Sequence, residues 1–254
     1  MEERELIEKI KWHIIHTESR SEIEAYYIYS LIKLAELKLK ESYKSILDVA
    51  CGNGRLHKFL RNYGFEVYGI DINEYLISLA KRENEGFEDY YFIADMRDFD
   101  LKRKFDVCIS WFSSFGYFDD KDNLKVLRNI SNHLRTNGIF ILEALYRENL
   151  PRAFERGNKI IRVIEISDRL IEISEREFFP NDGIVKFNNV IYRKEGNDLK
   201  FVDKLEVSLK VYSIDELENM AREANMELLF VFESLTFEKP SSRTDRITAV
   251  FRRI

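Results

Sequence analysis

The chain has 254 residues, of which 45% are hydrophobic, enough to fill the core of one large α/β domain with or without an insertion. Its net charge of -5 sets it apart from general nucleic-acid binders, which are usually basic, so nucleic acid is not the expected partner. No apolar run reaches the roughly 18 residues of a membrane span, and the acidic, amphipathic N-terminus does not read as a signal peptide, so a cytoplasmic chain with no membrane partner is expected.

The two cysteines, Cys51 and Cys108, lie in or beside predicted core strands. They make neither a disulfide framework nor a zinc-ligand spacing, and no metal is expected. Residues 2–17 are predicted helical, with Leu6, Ile7, Ile10, Ile14 and Ile15 on one stripe and His13 and His16 alongside. A break at residues 17–21 offers Ser19 or Ser21 as cap for a second helix running to about Leu39. Tyr26 and Tyr27 near its start can pack as core or roof a substrate pocket at the carboxyl edge of the sheet. Tyr26 is the substrate-binding candidate.

Residues 45–71 form the organising unit. An apolar run at 46–49, with Asp48 in it, reads as a buried parallel strand. Ala50-Cys51-Gly52-Asn53-Gly54 is a turn of small residues. Leu56, Phe59 and Leu60 then share one helical face, and Gly64 supplies the left-handed stop. Residues 66–70 are a second apolar strand with Asp71 at its carboxyl end. A βαβ unit with a glycine-rich first turn and an acid after the second strand holds an adenosine-containing ligand. Gly52 and Gly54 let the backbone approach that ligand, and Asp71 is placed to accept from the ribose hydroxyls. An NAD-type fingerprint needs a third glycine where the chain has His57, so a dinucleotide does not fit.

Asp48-Val49-Ala50-Cys51-Gly52-Asn53-Gly54 resembles the first motif of class I S-adenosylmethionine methyltransferases, with Ala50 where that family usually has glycine. The resemblance runs from about residue 42 to 144 and, more weakly, from 213 to the end. It implies S-adenosyl-L-methionine as cofactor. Asp48 and Asn53 would bind the cofactor, and Ala50, Gly52 and Gly54 would lie on its methionine and ribose side. Asp71 and Ile72 would bind ribose and adenine.

Residues 73–83 follow as a helix and 90–94 as the third strand. Asp95 and Met96 after it match the family segment that cradles adenine. Residues 105–111 are the fourth strand, and its continuation, Ser114-Phe115-Gly116-Tyr117-Phe118, resembles a loop of small-molecule methyltransferases that lines cofactor and acceptor. Ser110 and Phe112 would flank the cofactor, and Ser113, Ser114 and Tyr117 the acceptor. The loop lacks the proline motif of base-amine methyltransferases, and no Pro-Cys pair supplies a thiolate for attack on a pyrimidine. A helix at 123–134 and a turn at 135–138 lead into a fifth strand, 139–144, with Glu143 near its end. Tyr117 and Glu143 are the candidate bases. Glu143 can equally be a structural partner, and an amine acceptor needs no base.

From 151 to 212 apolar and charged residues alternate with period two between hairpin signals, which reads as an antiparallel meander. The resemblance implies an auxiliary sheet that covers the acceptor and pairs subunits into a homodimer. Ser213 and Glu216 frame a capping box, followed by a helix, a strand at 228–233, an exposed loop at 239–243 that is a candidate rim of the site, and a last strand from Arg246.

The fold expected is a Rossmann-like α/β sheet with helices on both faces, formed by 1–150 and 213–254. It would carry two N-terminal helices within 1–40 and an inserted antiparallel β-sheet at 151–212. The implied function is methyl transfer to a nitrogen or oxygen of a small-molecule acceptor. A tRNA or protein acceptor, or a non-catalytic cofactor-binding scaffold, is the alternative.

Overall fold

The computed structural model describes Ile7 and residues 17–154 and 159–254. The first predicted helix, with His13 and His16, lies outside these apart from Ile7 and Thr17. The described chain clusters into two units, an α/β unit and a second unit built on residues 147–212.

The α/β unit opens with helix α1, Glu18–Leu39. Its cap is Thr17, ahead of the expected Ser19 and Ser21. Thr17 is extended (φ -67°, ψ 150°), so its hydroxyl accepts the Arg20 backbone N–H at 3.3 Å. Ser21 is buried and takes a bond from Arg55 instead. Ala25, Ile28, Leu31, Ile32 and Ala35 recur at helical spacing and are fully buried. They pack on the core formed by Ile46, Val67, Val107, Ile109, Ile139 and Ile141.

Seven strands follow: β1 Ser45–Val49, β2 Glu66–Asp71, β3 Tyr91–Ile93, β4 Phe105–Ser110, β5 Leu134–Leu145, β10 Met226–Glu233 and β11 Arg246–Arg253. Their order is β10-β11-β5-β4-β1-β2-β3. The five strands β1 to β5 run parallel, and β10 and β11 close the edge antiparallel. Helices α2 His57–Asn62, α3 Glu74–Glu83 and α4 Asp120–His133 form the crossovers, and α6 Ile214–Glu223 precedes β10. Strand order reverses between β1 and β4, so the ligand crevice of a doubly wound sheet lies at the carboxyl ends of these two strands.

The expected turn at residues 135–138 is absorbed into β5, which starts at Leu134. The chain still kinks there. Asn137 is left-handed (φ 61°), and the β4–β5 register shifts between Phe105 and Val107. The Asn137 carbonyl accepts from the Tyr43 hydroxyl at 2.7 Å and its amide donates to Glu41 at 2.9 Å, which fixes the kink.

The second unit carries the short helix α5, Leu150–Ala153, and an antiparallel sheet in the order β6-β7-β8-β9: Lys159–Glu165, Leu170–Phe179, Ile184–Glu195 and Asp198–Lys210. Gly196 opens the two-residue turn between β8 and β9 with φ 63°, the left-handed backbone a tight hairpin requires. Alternation of charged and apolar residues leaves one wet face, as the period of two dictates. No helix among the described residues is long and apolar enough to cross a membrane.

Candidate cofactor and acceptor site

The turn after β1 is built from left-handed residues. Ala50 (φ 63°), Gly52 (φ 56°) and Gly54 (φ 66°) alternate with Cys51 and Asn53. The Cys51 N–H bonds the Ile70 carbonyl at 2.9 Å, which anchors the turn to β2. Ala50 holds a conformation that costs a non-glycine residue about 1 kcal/mol. The two glycines differ. A Cβ on Gly52 would meet nothing within 4 Å, whereas one on Gly54 would stand 2.8 Å from the Tyr91 ring. Gly52 therefore faces open space, and Gly54 makes room for Tyr91.

Asp48 and Asn53 face inward. Asp48 is 3% exposed, and its Oδ2 lies 3.0 Å from Nε2 of the fully buried His57. His57 stacks on Tyr91 with centroids 5.1 Å apart. Burial holds the His57 pKa below its ordinary value, the Asp48 carboxylate opposes that shift, and the imidazole is neutral at pH 7. Asn53 donates to Glu83 of α3 at 2.8 Å. His57 and Tyr91 thus support the turn from below. Sequence reasoning used His57 only to exclude a dinucleotide, and its signal was its place one helical turn past the glycines.

Asp71 ends β2 with its Oδ2 accepting from the Gly52 N–H at 2.9 Å and Oδ1 from the Asn73 N–H at 2.8 Å. Burial pushes its pKa up, with those two amide bonds opposing. Ile72 beside it is 67% exposed, a bare apolar surface at the strand's carboxyl end. Asp95 and Met96 follow β3. The Asp95 carboxylate is gripped by Arg97, 2.5 Å from Oδ2, which holds its pKa low. Arg97 also reaches Asp122 at 3.2 Å and lies 4.3 Å from the Phe118 ring centroid. Met96 is half-buried, and its carbonyl takes a bond from Asn129.

Ser110, the last residue of β4, is buried, and past it Phe112 (φ 62°) and Ser113 (φ 60°) are both left-handed. Arg246 of β11 pins this bend by donating to Ser113 Oγ at 2.6 Å. The same guanidinium binds both oxygens of Glu143, 2.6 Å from Oε2, and Ser234 donates to Oε1 at 3.3 Å. Glu143 is 3% exposed and fully engaged, so a proton-accepting role would require this pair to open. Ser114 Oγ donates to the Trp111 carbonyl at 2.8 Å. Tyr117 is 44% exposed. Its pKa is raised, by burial of the phenol first and the Asp71 charge second, so the hydroxyl is protonated at neutral pH. Tyr26 is 59% exposed and sits with Tyr29 and Tyr63 on α1's outer side, centroids 6.4 and 6.3 Å away.

A charged cavity of about 200 Å³ lies on the β4–β5–β11 side of the sheet, lined wholly by the α/β unit. Glu24 of α1 is buried in its wall, taking bonds from Arg20 at 2.9 Å, Arg55 at 2.5 Å and the Trp111 indole at 3.1 Å. Neither Glu24 nor Arg246 was singled out from sequence. Each lies in a helix or strand where charge looks like solvated surface. Among the described residues no group of three or more His, Cys, Asp or Glu could hold a metal ion.

The space over Gly52, the carboxylate of Asp71 and the bare Ile72 suit an adenosyl ligand. Each Asp71 oxygen has one amide bond and a further lone pair available to a sugar hydroxyl. Residues 46–138 match a family model described as a methyltransferase domain. The chain is 32% identical over 115 residues to a dTDP-3-amino-3,4,6-trideoxy-alpha-D-glucopyranose N,N-dimethyltransferase from Streptomyces venezuelae. That match covers 44% of this chain and 46% of that one, so it spans about half the length of the curated relative. Among solved structures, an S-adenosylmethionine-dependent methyltransferase from Clostridium acetobutylicum is similar with a TM-score of 0.77, at 19% identity over 97% of this chain and 96% of that one. CalS10, an amino pentose methyltransferase from Micromonospora echinaspora solved with S-adenosylmethionine, has a TM-score of 0.70 at 19% identity, covering 91% and 90%. Together with the turn and Asp71, these matches identify residues 46–138 as similar to a methyltransferase domain and give the chain the fold of S-adenosylmethionine-dependent methyltransferases.

Proposed function

We propose that this protein methylates the nitrogen of a small-molecule amine, with S-adenosylmethionine as donor. The observation that carries the reading is the open turn at Gly52 bonded through its N–H to Asp71, one strand over. S-Adenosylmethionine supplies a methyl group already activated on a sulfonium. Alignment and exclusion of water are what the protein adds. Asp71 would hold the ribose, Ile72 and Met96 would flank the adenine, and the bend at Phe112 and Ser113 would border the transferring methyl. Tyr117 is protonated and Glu143 is bound to Arg246, so this set of residues favours an amine, which carries its own lone pair, over a hydroxyl that needs a base. The Streptomyces relative, named as an amino-sugar N,N-dimethyltransferase, supports nitrogen as the acceptor atom.

Calorimetric titration with S-adenosylhomocysteine and with NAD tests the donor. The wild type is expected to bind the former and not the latter. Asp71→Ala is expected to weaken that binding by roughly a hundredfold, about 3 kcal/mol, for two lost bonds to a charged acceptor. Equal binding by the variant, or binding of NAD alone, would overturn the assignment.

A further inference from the structure

The charged cavity has an internal balance that points to its ligand. Glu24 is neutralised by Arg20 and Arg55, and Glu143 by Arg246. Glu233 accepts from the Thr244 hydroxyl at 2.6 Å and has no cationic partner among the described residues. On the same β10–β11 connection, the side chains of Arg243 and Asp245 line the cavity and make no hydrogen bond or ion pair among the described residues. The deep charges are committed. Calling on one to hold a ligand would break a buried pair, at a cost of about 3–5 kcal/mol. Recognition therefore falls to one guanidinium and two carboxylates that form no ion pair among the described residues, all between residues 233 and 245, with Asp245 acting on Arg246 only through its longer-range charge.

We propose that this cavity is the acceptor subsite and that it takes a small amine that also bears an anionic group, a carboxylate or a phosphate. The inference rests on the methyl-transfer reading above. Arg243 receives the anion, through the forked geometry a guanidinium offers to either group. Glu233 and Asp245 receive the protonated amine, which loses its proton to solvent before it can act as nucleophile. The volume of about 200 Å³ lies below the roughly 300–1,000 Å³ usual for drug-sized ligands and suits a molecule of amino-acid or monosaccharide size. Arg243 and Asp245 are then the specificity-determining residues.

The test is calorimetric titration with matched probes, with S-adenosylhomocysteine titrated separately. Glucosamine 6-phosphate is compared with glucosamine and with glucose 6-phosphate, and β-alanine with propylamine. In at least one series the amine bearing the anion is expected to bind about tenfold tighter than its partner lacking either charge, and which series does so identifies phosphate or carboxylate. Arg243→Ala is expected to erase the preference for the anion and Asp245→Asn to weaken the preference for the amine. S-Adenosylhomocysteine binding, unchanged in both variants, serves as the control for folding. A preference absent from both series, or one that survives in Arg243→Ala, overturns the proposal. The two readings fail separately. Probe preference without S-adenosylhomocysteine binding sustains the subsite and sinks methyl transfer, and the reverse result sinks the subsite alone.

Discussion

Gly52 and Gly54 are both left-handed and sit two residues apart, yet they answer to different neighbours. Tyr91 is 1% exposed, stacked on His57 and bonded through its hydroxyl to Arg61 at 3.4 Å, so it cannot withdraw from a new methyl group. Gly54→Ala is expected to cost about 2–3 kcal/mol in denaturant unfolding, the sum of overpacking and backbone strain. Gly52→Ala carries only the strain, about 1 kcal/mol, and its methyl projects into the space over the turn. Its loss is expected in S-adenosylhomocysteine affinity rather than in stability. If Gly54→Ala instead left stability intact and weakened binding, the packing assignment would be wrong. The sequence showed that this turn needs small residues. It did not show which glycine serves the ligand and which the core, because Tyr91 reaches the turn from a strand far along the chain.

At the level of elements, one ion pair ties the parallel part of the sheet to its antiparallel edge. Glu143 on β5 is in register with Thr248 of β11 and pairs with Arg246 two residues earlier on that strand, and the guanidinium also holds Ser113 past β4. Arg246→Ala strands a carboxylate that is 3% exposed. The expected cost is about 3–5 kcal/mol by thermal or denaturant unfolding. Glu143→Gln keeps an acceptor for Arg246 and is expected to cost less than half of that. Equal losses in the two variants would mean that the charge itself, and not the filled geometry, carries the stabilisation. Strand and helix identities were legible because each period, two or 3.6, is written locally. The cap of α1 falls ahead of the expected serines because Thr17, Ser19 and Ser21 offer the same chemistry, and only the extended backbone at Thr17 decides among them.

For the molecule as a whole, His57 links global stability to pH. Asp48, Arg61, Tyr91 and Cys51 surround it, and the ring is fully buried. Its folded pKa lies below the unfolded value of about 6.5, chiefly through burial, so between the two the unfolded chain binds more protons. Stability therefore rises with pH through that window and is lost on acidification, by up to about 1.4 kcal/mol per pH unit. Melting temperatures at pH 7.5 and 5.5 are expected to fall further in the wild type than in His57→Gln, which keeps a donor toward Asp48 without titrating. His133, whose pKa burial also lowers, contributes equally to both proteins. Identical drops would remove His57 from the account.

The sequence by itself determined the βαβ unit, the glycine turn, the acid after the second strand and the antiparallel meander, since each is a pattern of neighbours along the chain. Tertiary structure alone decided that Asp48 turns inward to His57, that Glu143 is claimed by Arg246 and that Glu24 lies buried among arginines. These partners stand 9, 103 and 31 residues apart. A charge's role depends on what the fold brings against it, and no local period records that.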